Sequence, residues 1–261
     1  TNPFFATLVR GAEDAAIEAG YSIIVCNSDE TLEKEETYVQ LLRRRRVDGM
    51  LIAPVREGAS PAIRELAQRK VPFVFVDRKA KGIGADAVLS DNEGGAYLAT
   101  KHLIERGHRR IGVVLGIPGA TTTEERFAGY RKALEEAGIS FSDRYVVWGG
   151  YRVEGGRKAV SKLLSLPNPP TAIFSTNNLM TMGVLQECFN RKVKIPERLA
   201  VIGFDDLEWA EMHNPPLTAV AQRPYEIGVQ ATKRLLERLK NPDLEAIEIR
   251  IPVDLKIRGT T

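Results

Sequence analysis

Residues 199–222 read LAVIGFDDLEWAEMHNPPLTAVAQ. The run Leu199 to Phe204 is continuously apolar, which suits a strand buried on both faces of a parallel sheet rather than a half-exposed one. Asp205 and Asp206 stand at its carboxyl end, the edge of an open α/β sheet at which loops diverge and ligands are held. Pro215-Pro216 then forces an extended entry into a second short strand, Leu217 to Ala221, which ends on Gln222. A carboxylate and an amide are thus delivered by two strand ends.

Outward from this stretch, strand and helix patterns alternate along the chain. Strands are expected near Ser22–Asn27, Gly49–Pro54, Pro72–Asp77, Ala87–Ser90, Arg110–Gly116, Tyr145–Gly149, Thr171–Thr176, Leu199–Phe204, Leu217–Gln222 and Ala246–Leu255. Amphipathic helices are expected at Ala6–Ala19, Leu32–Arg45, Ser60–Gln68, Gly94–Glu105, Glu124–Ala137, Glu154–Leu164, Leu179–Asn190 and Glu226–Leu239. Such alternation defines an α/β protein with parallel sheets. Ser90-Asp91-Asn92 and Gln222-Arg223-Pro224 each follow a strand and precede a helix at polar residues, as crossings between two lobes do.

Composition narrows the function. At 261 residues and 43% hydrophobic content the chain can fill one large core or two moderate ones. Its 37 basic and 34 acidic residues are mixed along the sequence and leave a formal charge of +3, which gives no basic stripe for nucleic acid. The run Arg43-Arg44-Arg45-Arg46 ends a helical pattern and complements the negative end of the helix dipole. Cys26, in an apolar strand pattern, and Cys188, in a helix, fit no disulfide or metal spacing and read as buried free thiols of a reducing compartment. No apolar run reaches the ~20 residues of a membrane span, and no signal peptide is present.

Catalysis finds little support. Asp205 and Asp206 are adjacent, and neighbouring residues leaving a strand point apart, so they make a poor acid/base pair. His102, His108 and His213 show no metal-ligand spacing and no nucleophile partner. Neither a metal nor a cofactor is expected. Gly116-Ile117-Pro118-Gly119 precedes Thr121-Thr122-Thr123 and a helix, but lacks the lysine of a phosphate-binding loop.

The polar and aromatic residues at strand and helix ends suit a sugar instead. Phe4 and Phe5 beside Asn2 either pack in the core or cover the apolar faces of a sugar ring. Asp77-Arg78 ends the strand FVFVD, where a carboxylate accepts vicinal hydroxyls and a guanidinium donates as a fork. Arg126 is placed in the first turn of its helix, where the dipole disfavours a cation, so a functional use is expected. Tyr151 follows Gly149-Gly150 and would stack on a ring or pack in the core. Asn177 precedes a helix and would cap it, bind ligand, or both. Asp206 is assigned to capping the short helix that follows. Asp77 and Asp205 balance Arg78 and Arg126, which favours a neutral ligand over a phosphate.

VIGFDD followed by PPLTAVAQ resembles the sugar-sensing core of LacI-type transcriptional repressors, which is similar to the periplasmic sugar-binding proteins. Asn2-Pro3-Phe4-Phe5, HLIERGHRRIGVV from His102 to Val114, Arg126 in ERFAGY and Asn177 in STNNLMTMG carry the same resemblance over the whole chain. It implies two Rossmann-like lobes with parallel sheets joined by a three-segment hinge, with a third crossing near Pro252. The first lobe would be residues 1–90 plus 223–252, and the second 91–222 plus 253–261. It also implies a strand ahead of Asn2 and, ahead of that, a helix-turn-helix headpiece, neither of which this sequence contains. Asn2, Phe4, Phe5, Asp77, Arg78, Arg126, Tyr151, Asn177, Asp205 and Gln222 fall where the ribose-binding protein holds its sugar, with Tyr151 in place of a phenylalanine.

The expected protein is the effector-binding part of a cytoplasmic, homodimeric regulator. It takes a neutral pentose in the cleft between its lobes, ribose first, and meets operator DNA only through the headpiece. A periplasmic transport receptor is the alternative. The sequence upstream of Thr1 would separate them, as a helix-turn-helix or as a signal peptide.

Overall fold

A computed structural model describes residues 2–261, and its contacts divide the chain into two compact units. Unit 1 comprises the chain to Ser90, Gly119–Thr121 and Arg223–Pro252; unit 2 comprises Asp91–Pro118, Thr122–Gln222 and Val253–Thr261. Gly119–Thr121, assigned by sequence to the second lobe, therefore groups with unit 1, where the Thr121 hydroxyl accepts the Lys79 amide N–H at 3.2 Å. Thr1 lies outside the described residues.

Unit 1 is built on a wholly parallel four-stranded sheet of β1 (Met50–Ile52), β2 (Phe73–Val76), β3 (Asp86–Ser90) and β9 (Glu248–Ile251), in that spatial order. Alternate side chains go to opposite faces, as the two-residue period of a strand requires. Val74, Val76 and Val88 meet Phe4 and Leu8 of α1 (Pro3–Glu18) and Ile227, Ala231 and Leu235 of α9 (Pro224–Lys240). Phe73, Phe75, Ala87 and Leu89 meet Val39 of α2 (Leu32–Arg44) and Ala62, Ile63 and Leu66 of α3 (Pro61–Gln68). Helices α1 and α9 touch backbone to backbone: a Cβ on Gly11 would stand 2.1 Å from the Tyr225 carbonyl oxygen, and one on Gly228 would stand 2.0 Å from that of Leu8.

Three expectations for this unit need correction. Ser22–Asn27 joins no ladder among the described residues, and Ile24 and Val25 are 63% and 61% exposed. Among the described residues β1 pairs on one side only, with β2, and β-branched residues do not hold a strand without a neighbour to pair with. Cys26 within the same run is consequently half-exposed rather than buried. Ala246–Leu255 is two strands and not one: β9 belongs to unit 1, the chain passes Pro252, and β10 (Asp254–Lys256) joins the sheet of unit 2. Proline lacks the N–H a ladder needs, so the break falls there.

Unit 2 carries a six-stranded sheet in the order β10, β8 (Thr218–Ala221), β7 (Ala200–Phe204), β6 (Ala172–Ser175), β4 (Ile111–Leu115), β5 (Val146–Trp148). Every pairing is parallel except that of β10, which runs antiparallel to β8 at the edge. Val113, Phe174, Ile202 and Phe204 pack on α4 (Asn92–Glu105) and α5 (Thr121–Glu136); Val114, Ile173 and Val201 pack on α6 (Val153–Leu164) and α7 (Asn178–Asn190). Both faces are covered, which is why these strands read as continuous apolar runs. Because β4 to β8 are parallel, their carboxyl ends share one edge of the sheet. Among the described residues no helix is long and apolar enough to cross a membrane.

Candidate ligand-binding site

In unit 1 the candidate residues come from the start of α1 and the end of β2. Asn2 caps α1, its Oδ1 accepting the Phe4 N–H at 3.0 Å. Phe4 is core, 5% exposed, and meets the half-buried Phe5 edge to face with ring centroids 5.3 Å apart. Asp77 follows β2 with φ of 64°, a left-handed backbone that a non-glycine residue adopts at a cost. This turn directs both Asp77 and Arg78 inward, and each is only 6% exposed. Arg78 Nε donates to Asp77 Oδ2 at 3.0 Å. The rest of its fork is taken by Glu30, which was not among the residues chosen from sequence: Nη1 donates to Oε2 at 2.8 Å and Nη2 to Oε1 at 3.2 Å.

In unit 2 the candidates line one sheet edge. Asp205 follows β7 with φ of 79° and Tyr151 follows β5 with φ of 59°. The Asp205 carboxylate accepts the Asn178 amide N–H at 3.2 Å and a very short bond from Gln222 Nε2 at the end of β8. Gln222 Oε1 is buried and meets no donor among the described residues. Asn177 caps α7, its Oδ1 accepting from the N–H groups of Leu179 at 3.0 Å and Met180 at 3.3 Å. Asn177 thus fills the capping role, one of the two roles its position offers.

Arg126 is 3% exposed and lies over the Phe204 ring, its Cζ 3.7 Å from the centroid. Nε donates to Asn92 Oδ1 at 2.9 Å and Nη1 to the Thr176 carbonyl at 2.6 Å. Helix α5 begins at Thr121, three residues before the expected start, so Arg126 stands beyond the first turn and the dipole no longer explains its position. The buried acceptors and the aromatic face hold it instead. Tyr151 lays its ring on Gly116, where a Cβ would fall 1.9 Å from Cε1, and its hydroxyl meets those of Thr122 at 2.9 Å and Thr123 at 2.6 Å.

Other assignments resolve differently. Asp206 does not cap the short helix α8 (Trp209–Met212), whose N-cap is Glu208; the Asp206 carboxylate is held bidentately by Arg258 at 2.7 and 2.8 Å. Asp205 and Asp206 therefore serve separate partners. His102 and His108 face threonine hydroxyls and His213 a carbonyl, and burial pushes the imidazoles of His102 and His108 below their ordinary pKa. Among the described residues no group of His, Cys, Asp and Glu could hold a metal ion.

Two units, each with a mainly parallel sheet covered by helices on both faces, are the architecture of a periplasmic binding protein-like domain. A family model described as a periplasmic binding protein-like domain matches residues 100–261. The chain is 35% identical over 262 residues to the HTH-type transcriptional repressor PurR of Vibrio atlanticus, covering 100% of this chain and 78% of that protein. It is 36% identical over 262 residues to the ribose operon repressor of Escherichia coli, covering 100% and 79%. A LacI family transcriptional regulator from Enterococcus faecium, solved with bound ribose, superimposes with a TM-score of 0.89 at 32% identity, covering 100% of this chain and 95% of that one. The chain belongs to the LacI family of transcriptional regulators.

Proposed function

We propose that this chain is the effector-sensing part of a cytoplasmic LacI-type repressor whose ligand is a neutral pentose, with ribose the first choice. The observation that carries the reading is the Asp205–Gln222 pair, whose Gln222 Oε1 is a buried acceptor that meets no donor among the described residues. A ligand hydroxyl satisfies it, and leaving such an atom unpaired costs roughly 1–3 kcal/mol. A sugar presents several hydroxyls that both donate and accept, whereas a purine has fewer to offer and would leave polar groups without partners. The ribose held by the Enterococcus faecium regulator supports the same choice.

Ligand groups drawn from both units would bias the arrangement of the units, and only by the difference in affinity between arrangements. That bias is the signal passed to a DNA-binding headpiece, and the protein acts as a homodimer on a palindromic operator. It has no catalytic role. Calorimetry across ribose, other pentoses, hexoses, ribose 5-phosphate and hypoxanthine tests the ligand. Ribose should bind with clear preference, and preference for hypoxanthine or the phosphate would refute the assignment. Sedimentation should show a dimer at micromolar concentration, and scattering curves should differ with and without saturating ribose.

A further inference from the structure

Counted from sequence, Asp77 and Asp205 balance Arg78 and Arg126. The structure adds a third acid. Residues Asn27 to Glu30 form a compact turn: Asn27 Oδ1 accepts the Asp29 N–H at 3.0 Å, Thr31 N–H donates to the Ser28 carbonyl at 2.9 Å, and Asp29 and Glu30 take left-handed φ of 50° and 57°. The turn brings the Glu30 carboxylate onto Arg78, where it receives both Nη groups in a bidentate pair. The Arg78 side chain is 7% exposed and that of Glu30 28%, so the pair is shielded from solvent more than a surface bridge is. With Nε committed to Asp77, the guanidinium faces two carboxylates, and this cluster carries one net negative charge.

We propose that Glu30 is a specificity-determining residue: by closing the Arg78 fork and adding a negative charge beside it, Glu30 excludes anionic ligands from the site. The proposal rests on the pentose reading for the identity of the accepted ligand, but the exclusion of anions follows from the Glu30–Arg78–Asp77 cluster itself. A forked guanidinium is otherwise the side chain best suited to a phosphate. Glu30 removes that option by occupying both outer nitrogens, and an approaching phosphate would have to displace a carboxylate and meet a second one. A neutral sugar meets no such opposition.

The experiment is calorimetric titration of the wild-type protein, Glu30→Gln, Glu30→Ala and Glu30→Asp with ribose, ribose 5-phosphate and inorganic phosphate. Wild type should bind ribose at least about 100-fold more tightly than ribose 5-phosphate. In the two neutral variants this gap should shrink by roughly tenfold or more and inorganic phosphate should become detectable, while Glu30→Asp, which keeps the charge, should retain the gap. An unchanged gap in both neutral variants, or equal phosphate binding by all four proteins, overturns the role of Glu30 and leaves the pentose reading standing. A wild type that ignores ribose while the neutral variants gain phosphate overturns the pentose reading and leaves Glu30 standing.

Discussion

Beside β2, the guanidinium of Arg78 commits its three nitrogens to two carboxylates; beside β7 and β8, and among the described residues, Gln222 keeps a buried acceptor that meets no donor and Arg126 keeps one nitrogen, Nη2, with no bond. The Arg78 fork is already occupied by carboxylates, whereas Gln222 and Arg126 each keep a hydrogen-bonding atom unused among the described residues. A closed cluster acts on a ligand through its field and shape, which sort ligands by charge. An open one acts through hydrogen bonds still to be made, which sort ligands by the placement of their hydroxyls.

Substitutions in unit 2 should therefore have the largest effect on binding. Arg126→Ala removes the charge-assisted donor to Asn92 and Thr176 and strips the Phe204 face; ribose affinity should fall about 100-fold or more by calorimetry. Asp205→Ala should do the same, since it leaves Gln222 and the Asn178 amide without their acceptor. If either variant bound ribose within about threefold of wild type, the open groups of unit 2 would not be the ligand's partners.

A buried acid of unit 1 that lies away from the candidate residues, Asp86, should act on stability alone. Asp86 is fully buried and accepts from Arg234 Nε at 2.9 Å, from Arg238 Nε and from the Ile247 N–H at 3.0 Å. Asp86→Ala leaves two arginines facing an empty site and should cost about 3–5 kcal/mol by urea unfolding. Ribose affinity of the folded fraction should be unchanged. Burial by itself raises the Asp86 pKa, but the bonds from Arg238, Ile247 and Arg234 outweigh it and hold the carboxyl below its ordinary value. Its stabilisation is accordingly complete above the ordinary carboxylate range, about pH 4, and is lost as pH falls through the lower folded value. Unfolding measured from pH 7 down to pH 3 should show that loss in wild type, and a smaller loss in Asp86→Ala.

Smaller changes sharpen the contrast. Gln222→Leu removes both the unpaired acceptor and the donor to Asp205, and ribose should bind roughly tenfold more weakly, the effect of about one hydrogen bond. Tyr151→Phe should change affinity less than about threefold, because its hydroxyl already answers to Thr122 and Thr123. A larger loss would mean that the hydroxyl, and not the ring, meets the ligand.

What could be read from sequence follows the range of the interaction. β7 and β8 are legible because both faces are covered and each ends at a polar residue, which also exposed Asp205 and Gln222. Glu30 meets Arg78, and Asn92 meets Arg126, across gaps that no periodicity spans, so those partners stayed hidden although the acids of residues 27–30 follow an apolar run as strand-end residues do. Ser22–Asn27 misled for the opposite reason: its local pattern is that of a strand, but a strand exists only by pairing. The left-handed backbone at Asp77, Tyr151 and Asp205 has only a weak signature in residue type, aspartate being among the side chains that tolerate it, yet it marks three strand ends that carry a candidate side chain.

The division of the apolar stretch around Pro252 constrains how a ribosome can deliver this protein. Strand β3, at 86–90, receives its last neighbour only when β9, at 248–251, has been made, and α1 waits over a longer stretch of chain for α9, at 224–240. Unit 1 begins synthesis first but cannot close its sheet until unit 2 is almost wholly translated, so the usual order of completion, amino-terminal unit before the next, is unavailable to it. Through that interval the nascent chain must carry the unpaired edge of β3 and the part of the Val74, Val76 and Val88 face that α9 will cover, an exposed apolar surface of the kind that favours aggregation.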